Sequence, residues 1–265
     1  MPASITDTIN FPATQQSMHI PNLLMRSMEK WKLQHRARKY RNQEDPGGIR
    51  YIRDNIRQGD TVFDIGAHKG GYLYFFLQQL AGSGQVIAFE PQSVLYRYLC
   101  KLQQLFAWKN LLVEPYAVSD QDGKALLCIP HNHGKRSSPC ATIIESHMEF
   151  SYQYSEQVPT ISLDTYCAQH DSFPSFLKVD VEGNELMVFK GASGLLHTHR
   201  PKILFECEAR FVGELQLWET FQFLQGIGYT GYFIMGKKVQ PLSLFDPLSH
   251  QDISQFVYCN NFIFE

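Results

Sequence analysis

The residue types best suited to chemistry lie in the short stretch DIGAHKGG, residues 64–71. Gly66 and Gly70 would let the backbone approach a ligand, and the first N–H groups of a following helix could bind it. The dinucleotide pattern G-x-G-x-x-G needs a glycine where this chain has His68, so a pyrophosphate would be crowded. Asp64 would repel phosphate and suits an ammonium or sulfonium charge. We therefore expect Asp64, Gly66, His68 and Gly70 at a nucleoside site, although Asp64 as a turn cap and His68 as a backbone-bonding turn residue stay open.

Glu90 closes the segment VIAFEP, about twenty positions beyond the glycine turn. A carboxylate at that place can accept hydrogen bonds from both hydroxyls of a ribose. This feature fits either a nicotinamide dinucleotide or S-adenosylmethionine (SAM). Asp64 and the missing middle glycine favour SAM, and we predict that Glu90 binds its ribose.

A second group of charges stands in the segments FLKVDVEG and KILFE. Lys178 and Asp180 are two positions apart in a predicted strand and so share a face. Asp180 falls at the carboxyl end, where open α/β sheets bind ligands; Glu182 follows on the loop, and Glu206 ends the next strand. The alternative is a lysine–carboxylate bridge that only holds the strand ends together. Three carboxylates on one rim could also bind a divalent ion, but we predict no metal.

The stretch from residue 130 to 159 is long for a connection and has no clear periodicity. Long loops in compact domains are often functional. This one carries aromatic residues and histidines that suit a sugar-binding lid or a proton acceptor, namely His131, His133, His147, Tyr152 and Tyr154. Surface decoration and a metal site remain alternatives.

From residue 61 onward, strand-like segments alternate with helix-like ones, which predicts a mostly parallel sheet with helices on both faces. The strand-like segments are TVFDIG, GQVIAFEP, NLLVEPYAVSD, KALLCIP, FPSFLKVDVEG, RPKILFECE, YTGYFIMG and FVYCNNFIFE. Residues 48–265 are predicted to form this domain.

Residues 1–47 are expected to be an N-terminal arm and a basic helix. In residues 23–43, helical spacing puts Leu24, Met28, Trp31 and His35 on one face. We expect that face to pack on the domain, with a membrane-surface helix as the alternative. The run EDPGG should end this helix, and a second short helix, IRYIRDNIRQGD, should follow and end at Gly59.

Bulk composition narrows the classes of protein. The chain has 265 residues, 44% of them hydrophobic, and a formal net charge of −2, which argues against a nucleic-acid partner held by phosphate neutralisation. Its six cysteines form no CxxC pair, and no run of about 18 apolar residues occurs, so we expect a cytoplasmic protein with reduced thiols and no transmembrane segment. A homodimer is possible.

The blocks FDIGAHKGGY, VIAFEP, NLLVEPYAVSDQDG, SLDTY, FLKVDVEGNELMVFKGA and RPKILFE occur in this order. Together they resemble the pattern of the FkbM family of SAM-dependent methyltransferases over roughly residues 48 to 225, and KVDVEGNE is the most distinctive piece. His68 stands where that family most often has Asn. The resemblance implies a Rossmann-like class I methyltransferase fold, with a mostly parallel seven-stranded sheet, helices on both faces and a C-terminal antiparallel strand.

The resemblance also implies site roles. Val118 would offer its backbone N–H to the adenine, and Asp120 would accept from the exocyclic amine. The methyl acceptor would be a hydroxyl on a sugar, glycan or polyketide-like small molecule. Its proton needs a base, for which Asp180, His68 and Glu182 are the catalytic candidates, and a histidine of the 130–159 stretch is also open.

Three other functions stay open on the sequence alone. A nicotinamide-dependent oxidoreductase would use the same strand–turn–helix unit, and a catalytically silent SAM-binding module would keep the site without transferring a methyl group. An N-methyltransferase is less favoured, because the chain reads DVEG where such enzymes often carry an Asn/Asp-Pro-Pro-aromatic run.

Overall fold

The computed structural model describes residues 22–130, 142–143, 152–255 and 257–265. Its helices are α1 Asn22–Lys39, α2 Pro46–Asn55, α3 Leu73–Leu80, α4 Ser93–Phe106, α5 Leu163–His170, α6 Glu185–Lys190, α7 Ser193–Thr198, α8 Ala209–Gly226 and α9 Pro247–His250, with a π-helical turn at Tyr40–Glu44 and a 3-10 turn at Leu242–Leu244. Its strands are β1 Thr61–Ile65, β2 Gln85–Phe89, β3 Leu111–Glu114, β4 Ala117–Val118, β5 Gly123–Pro130, β6 Thr142–Ile143, β7 Tyr152–Ile161, β8 Phe176–Val179, β9 Lys202–Glu206, β10 Gly231–Met235, β11 Lys238–Pro241 and β12 Asn261–Phe264.

The main sheet has eight strands in the order β11-β10-β12-β9-β8-β1-β2-β3. The five neighbouring strands β9, β8, β1, β2 and β3 pair in parallel. Strand β12 is antiparallel to both β9 and β10. Strands β1, β2 and β8 are almost continuously buried, as expected for parallel strands covered on both faces. The predicted mostly parallel sheet with an antiparallel C-terminal strand is confirmed; β11, a hairpin partner of β10, extends it beyond the predicted seven strands.

Each face of the sheet has its own core, and the alternation of side chains along a strand decides which residue enters which core. Phe63 and Ile65 of β1 face the core under α5 to α8, while Val62 faces the core under α1 to α4. Asp64 is two residues from Val62 and therefore shares its face. Lys178 and Glu206 lie on this face as well, because each stands two positions after a residue of the same core, Phe176 and Leu204 respectively. The charged strand ends thus lie on the side of the sheet that the N-terminal helices cover.

A second sheet, β4-β7-β5-β6, stands beside the main one and corrects two predictions. The segment NLLVEPYAVSD is not one strand, because its first half forms β3 in the main sheet and its second half forms β4 in the small sheet. The stretch predicted to be irregular up to residue 159 contains β7, which pairs antiparallel with β5 from Gly123 onward. His131, His133 and His147 lie outside the described residues.

The N-terminal helices differ from the prediction in two ways. α1 packs on α3 and α4 through Leu33 and Ala37, and the predicted packing face is wrong, because Leu24 and Trp31 are each about two-thirds exposed. The run EDPGG begins α2, with Pro46 in the first turn, where a missing N–H costs nothing. The carboxylate of Asp45 caps that helix by accepting from the N–H of Gly48 at 2.8 Å. In the part of the chain that the structure describes, no helix combines the length and the apolar character needed to cross a bilayer.

Candidate active site

The carboxyl ends of β1, β2, β4 and β8 surround one cleft. The strand ends are locked together by backbone bonds, such as Asp180 N–H to Ile65 O at 2.9 Å and Glu90 N–H to Glu114 O at 2.9 Å. The cleft encloses about 540 Å³, open to solvent on one side. Its lining includes six of the predicted site residues, and these are Gly66, His68, Glu90, Val118, Asp180 and Glu182.

Gly66 is a glycine because no other residue would fit. Its φ is +85°, in the left-handed region, and a Cβ built there would lie 1.9 Å from the carbonyl oxygen of Asp180. Its N–H donates to Phe89 O at 3.0 Å, which ties the turn to the end of β2. Gly70 plays a different part from the one predicted. A Cβ there would meet Leu73 and Leu99 at 3.3 Å, so Gly70 allows helix packing and does not line the cleft.

Glu90 lies at the floor of the cleft, almost fully buried. Its two carboxylate oxygens accept from the backbone N–H of His68 at 2.7 Å and of Gln92 at 2.8 Å. Burial raises the pKa of Glu90 to about 8, although these two hydrogen bonds oppose the shift. A carboxylate has about four acceptor positions, so two remain for further donors. The arrangement fits the paired hydroxyls of a ribose.

His68 lies where three concave surfaces meet, because it lines the cleft at the strand ends, an adjoining acidic pocket and an outer groove. Its backbone is left-handed, with φ +48°, a conformation that Asn tolerates better than most residues. Burial lowers the pKa of His68 to about 4, and the positive charges of Lys69 and Arg36 lower it further. The ring is therefore neutral at physiological pH, and its buried Nε2 has no hydrogen-bond partner among the described residues.

Asp64 is 2% exposed and lies beneath the cleft, not in its lining. In the strand register it stands beside Lys178 of β8. Burial raises the pKa of Asp64 to about 7; Lys178 opposes this shift and Asp180 adds to it. One carboxylate oxygen has no hydrogen-bond partner among the described residues. Asp64 can therefore act on a cleft ligand through its charge, and among the described residues it makes no capping bond to the turn that follows.

Lys178 is fully buried, and its ammonium group lies 3.7 Å from carboxylate oxygens of both Asp180 and Glu206. Burial lowers the pKa of Lys178, but the surrounding carboxylates more than offset this, so the net shift is upward and the lysine stays charged. The lysine–carboxylate bridge left open by the sequence thus exists. The bridge does not remove Asp180 from the site, because Asp180 also lines the cleft.

An acidic pocket of about 750 Å³, open to solvent, continues from the cleft, and its lining includes Asp45, Asp180, Glu182 and Glu206. The hydroxyl of Tyr72 donates to Asp45 at 2.7 Å and contacts Glu206 at 3.2 Å. The sequence analysis missed Asp45 and Tyr72. The only sequence signal for Tyr72 was its position directly after the glycine turn, and for Asp45 its position before a proline that begins a helix.

Glu182 stands on the rim shared by the cleft and the acidic pocket. Its φ of +54° is unusual for a glutamate and marks local backbone strain. Burial raises the pKa of Glu182 to about 8, with further contributions from Asp180, Glu185 and Glu208. It is thus a half-buried carboxyl group that titrates close to physiological pH.

Of the two residues predicted to contact adenine, Val118 lines the cleft and Asp120 does not. The N–H of Ser119 donates to Ile161 O at 3.1 Å. Because N–H groups alternate along an extended strand, the N–H of Val118 points away from β7. Val118 lines the cleft, as do Tyr116 and Leu127, which the sequence analysis did not single out. Asp120 is exposed and lies outside the cleft lining.

No three His, Cys, Asp or Glu side chains in the described ranges are arranged as ligands of one metal ion. The site offers instead a buried carboxylate for a ribose, a glycine that clears the strand tips and an acidic pocket for positive charge. These features fit S-adenosylmethionine, whose sulfonium and ammonium groups are both positively charged.

The sheet order and the cleft at the strand ends define a class I SAM-dependent methyltransferase. The family model of the methyltransferase FkbM domain matches residues 64–234, more than half of the chain. The chain therefore belongs to the FkbM methyltransferase family, as its motifs predicted. This assignment removes the nicotinamide-dependent oxidoreductase from consideration.

One solved structure with a TM-score above 0.5 agrees on the fold, and two others are more distantly similar. The methyltransferase FkbM from Methylobacillus flagellatus KT is 15% identical with a TM-score of 0.52; the match covers 92% of this chain and 59% of that one, so this chain spans little more than half its length. An O-methyltransferase from Bacillus cereus in complex with SAH is 13% identical, covering 90% and 89%, at a TM-score of 0.47. An rRNA methylase from Streptococcus thermophilus is 9% identical, covering 82% and 93%, at a TM-score of 0.45. The two latter likenesses are too weak to inform on the acceptor. The search among curated proteins gave no match.

Proposed function

We propose that this protein is an O-methyltransferase that acts on a hydroxyl group of a sugar, glycan or polyketide-like small molecule. The observation that carries the proposal is Glu182, a strained and half-buried carboxyl group between the cofactor cleft and a second, open pocket. A hydroxyl is a poor nucleophile until its proton is accepted, so a base in this position is what O-methylation needs. The resemblance to the FkbM family supports the choice of a hydroxyl acceptor.

Four groups would hold the cofactor in this proposal. Glu90 accepts the ribose hydroxyls, and the N–H of Val118 faces the adenine. Asp180 borders the positively charged end directly, while Asp64 acts on it from beneath through its charge. Residues 48–265 would form the catalytic domain, with the basic helix before it on the acceptor side.

SAM supplies a methyl group on a positively charged sulfur, which an oxygen nucleophile can displace. The chain's own residues align the acceptor and take its proton. Glu182 is the preferred base, because its pKa of about 8 lies nearer to working pH than the pKa of about 4 at His68. Asp180 is committed to Lys178 by their ion pair, and it would serve to orient the acceptor or the base.

The proposal is tested with the full chain, methyl-¹³C SAM and an acceptor panel of neutral sugars, acidic sugars, a hydroxylated polyketide and an RNA oligonucleotide. We expect labelled methyl ethers from a hydroxylated acceptor, detected by mass spectrometry. In Glu182→Gln, kcat should fall about 10²-fold or more, while SAH affinity, to which Glu182 contributes only one of several carboxylates, should fall by less than about ten-fold. Glu214→Gln, on the exposed side of α8, is the matched control and should keep full activity. Labelling of RNA or of amines alone would refute the proposal, and SAH binding without transfer to any acceptor would indicate a silent module.

A further inference from the structure

Two concave surfaces of opposite charge meet at His68. The acidic pocket on one side carries Asp45, Asp180, Glu182 and Glu206, and Glu44 lines both surfaces. The outer groove on the other side encloses about 910 Å³ including open solvent, and its lining carries the cations Lys32, Arg36, Lys39 and Lys69 with one carboxylate, Glu44. The net formal charge of the outer groove is therefore +3, from four cations and one anion. We call this surface the basic groove.

The cations of the basic groove are fixed in place by the fold. Lys32, Arg36 and Lys39 lie along one flank of α1, at spacings of four and three residues. The guanidinium of Arg36 donates to the backbone carbonyl of Lys69 in the glycine turn. Lys39 pairs with Glu44, and Lys32 with Glu29 at 3.2 Å, yet both lysines remain about half exposed. The helix therefore presents its charge to solvent beside the cofactor turn.

An aromatic platform borders these cations. The rings of Trp31 and His35 stack with centroids 5.3 Å apart and planes at 14°. Both residues line the basic groove, and Trp31 is 65% exposed. Leu24 and Met28 of the same helix are also more than half exposed, and a contiguous exposed apolar patch is typical of a binding surface. A flat aromatic surface next to cations suits the apolar face of a sugar ring whose neighbouring substituent is an anion.

Resting on the proposed O-methyltransferase function, we propose that the basic groove binds the methyl acceptor, and that this acceptor is an acidic saccharide carrying a carboxylate or a phosphate. The acidic pocket then attracts the positively charged end of the cofactor while the basic groove attracts the negative group of the acceptor. The cofactor and the acceptor therefore bind on opposite sides of His68, each beside residues of the opposite charge. The anion sets the orientation in which a neighbouring hydroxyl reaches the transfer site.

The test uses the full chain saturated with SAH and two pairs of matched probes. The first pair is tetragalacturonate and its fully methyl-esterified, neutral form; the second is mannose 6-phosphate and mannose. Binding is followed by calorimetry and by the quenching of Trp31 fluorescence, with Trp31→Phe as the reference. We expect at least one acidic probe to bind ten-fold more tightly than its neutral partner, with an affinity that falls as salt is raised.

Charge-reversal variants locate the binding. K32E/K39E should lose at least ten-fold in affinity for the acidic probe. R26E/K30E changes the net charge equally on another exposed flank of α1, away from Trp31 and outside the groove lining, and should stay within about three-fold of the wild type. Equal losses in the two variants, or equal affinity for acidic and neutral probes, would overturn the inference, as would binding to anionic vesicles alone. SAH affinity is measured in every variant, because an intact SAH site with no acidic preference defeats only this inference, whereas no SAH binding by the wild type defeats the proposed function.

Discussion

Replacing Glu90 by Gln tests the cofactor site most directly. The side chain keeps its size, but the buried carboxylate becomes an amide with a single acceptor oxygen. In the wild type the two oxygens already accept the N–H groups of His68 and Gln92. The amide can satisfy only one of them through its oxygen, and its own NH₂ group faces the other. The ribose hydroxyls consequently lose a charged acceptor and face a partly mismatched one.

The loss can be worked out from the bonds involved. A hydrogen bond to a charged group contributes about 1.5–3 kcal/mol and a neutral one about 0.5–1.5 kcal/mol. Two ribose bonds that change from charged to neutral therefore cost about 2–3 kcal/mol. At about 1.4 kcal/mol per factor of ten, Glu90→Gln should weaken SAH binding roughly 30- to 150-fold at about pH 9, where the wild-type carboxyl group is already charged, and by less at pH 7.

Calorimetric titration with SAH measures this change, and its pH dependence gives a second readout. Burial raises the pKa of free Glu90 to about 8, and donors from the ribose would lower it in the complex. Binding near pH 7 should therefore release close to one proton, and affinity should rise with pH up to about 8. Glu114→Gln, at the end of the neighbouring strand and outside the cleft, is the matched control. If Glu90→Gln binds SAH within three-fold of the wild type, or if no proton is released, the ribose role is wrong.

Three further changes test the parts of the site separately. Gly66→Ala should lose SAH binding and lower the free energy of unfolding by about 2 kcal/mol more than the control Gly59→Ala. Both glycines have positive φ, but only at Gly66 would a Cβ lie against the carbonyl oxygen of Asp180. Equal urea midpoints for the two variants would contradict this. Tyr72→Phe should cost about 1–3 kcal/mol in urea unfolding, since Asp45 and Glu206 lose a buried donor, whereas Tyr51→Phe, which only frees the surface carboxylate of Glu265, should cost less than about 1 kcal/mol. His68→Asn should be slightly stabilising at pH 7.5, because Asn tolerates φ +48°. The pKa of His68 is about 4 when folded and near 6.5 when unfolded, so the wild type should lose about 2 kcal/mol relative to His68→Asn as pH falls to 5, and parallel stability curves would refute this.

The alternation of strands and helices along the chain and the place of Glu90 at the end of a strand were predictable, because local signals carry them. Buried parallel strands such as TVFDI and QVIAF read as unbroken apolar runs. The glycine turn between β1 and α3 needs φ values that only glycine adopts easily, as Gly66 shows. An acidic residue at the end of the next strand then falls beside that turn by topology alone. Each of these inferences depends on residues close together in the chain.

The features that were missed depend on distant residues. β7 contains polar residues and Pro159, and it exists because β5 offers an antiparallel partner. The network of Tyr72 with Asp45 and Glu206 joins residues 27 and 134 positions apart, and no local pattern reports it. The buried flank of α1, with Leu33 and Ala37, was overlooked because the larger apolar side chains lie on the exposed face.

The two surfaces that meet at His68 are both unfavourable for the protein without a ligand. Four acidic groups, Asp45, Asp64, Asp180 and Glu206, influence the pKa of the buried cation Lys178, and burial raises the pKa of both Asp64 and Glu206. Such an excess of negative charge is unfavourable in the empty protein. A ligand with two positive groups would offset this negative charge. The carboxylates that destabilise the protein without ligand would therefore increase its affinity for the cofactor. The groove across His68 has the opposite excess, with its cations beside an aromatic surface left in water. Since neither surface gains stability from its composition, each is best explained by the ligand that complements it.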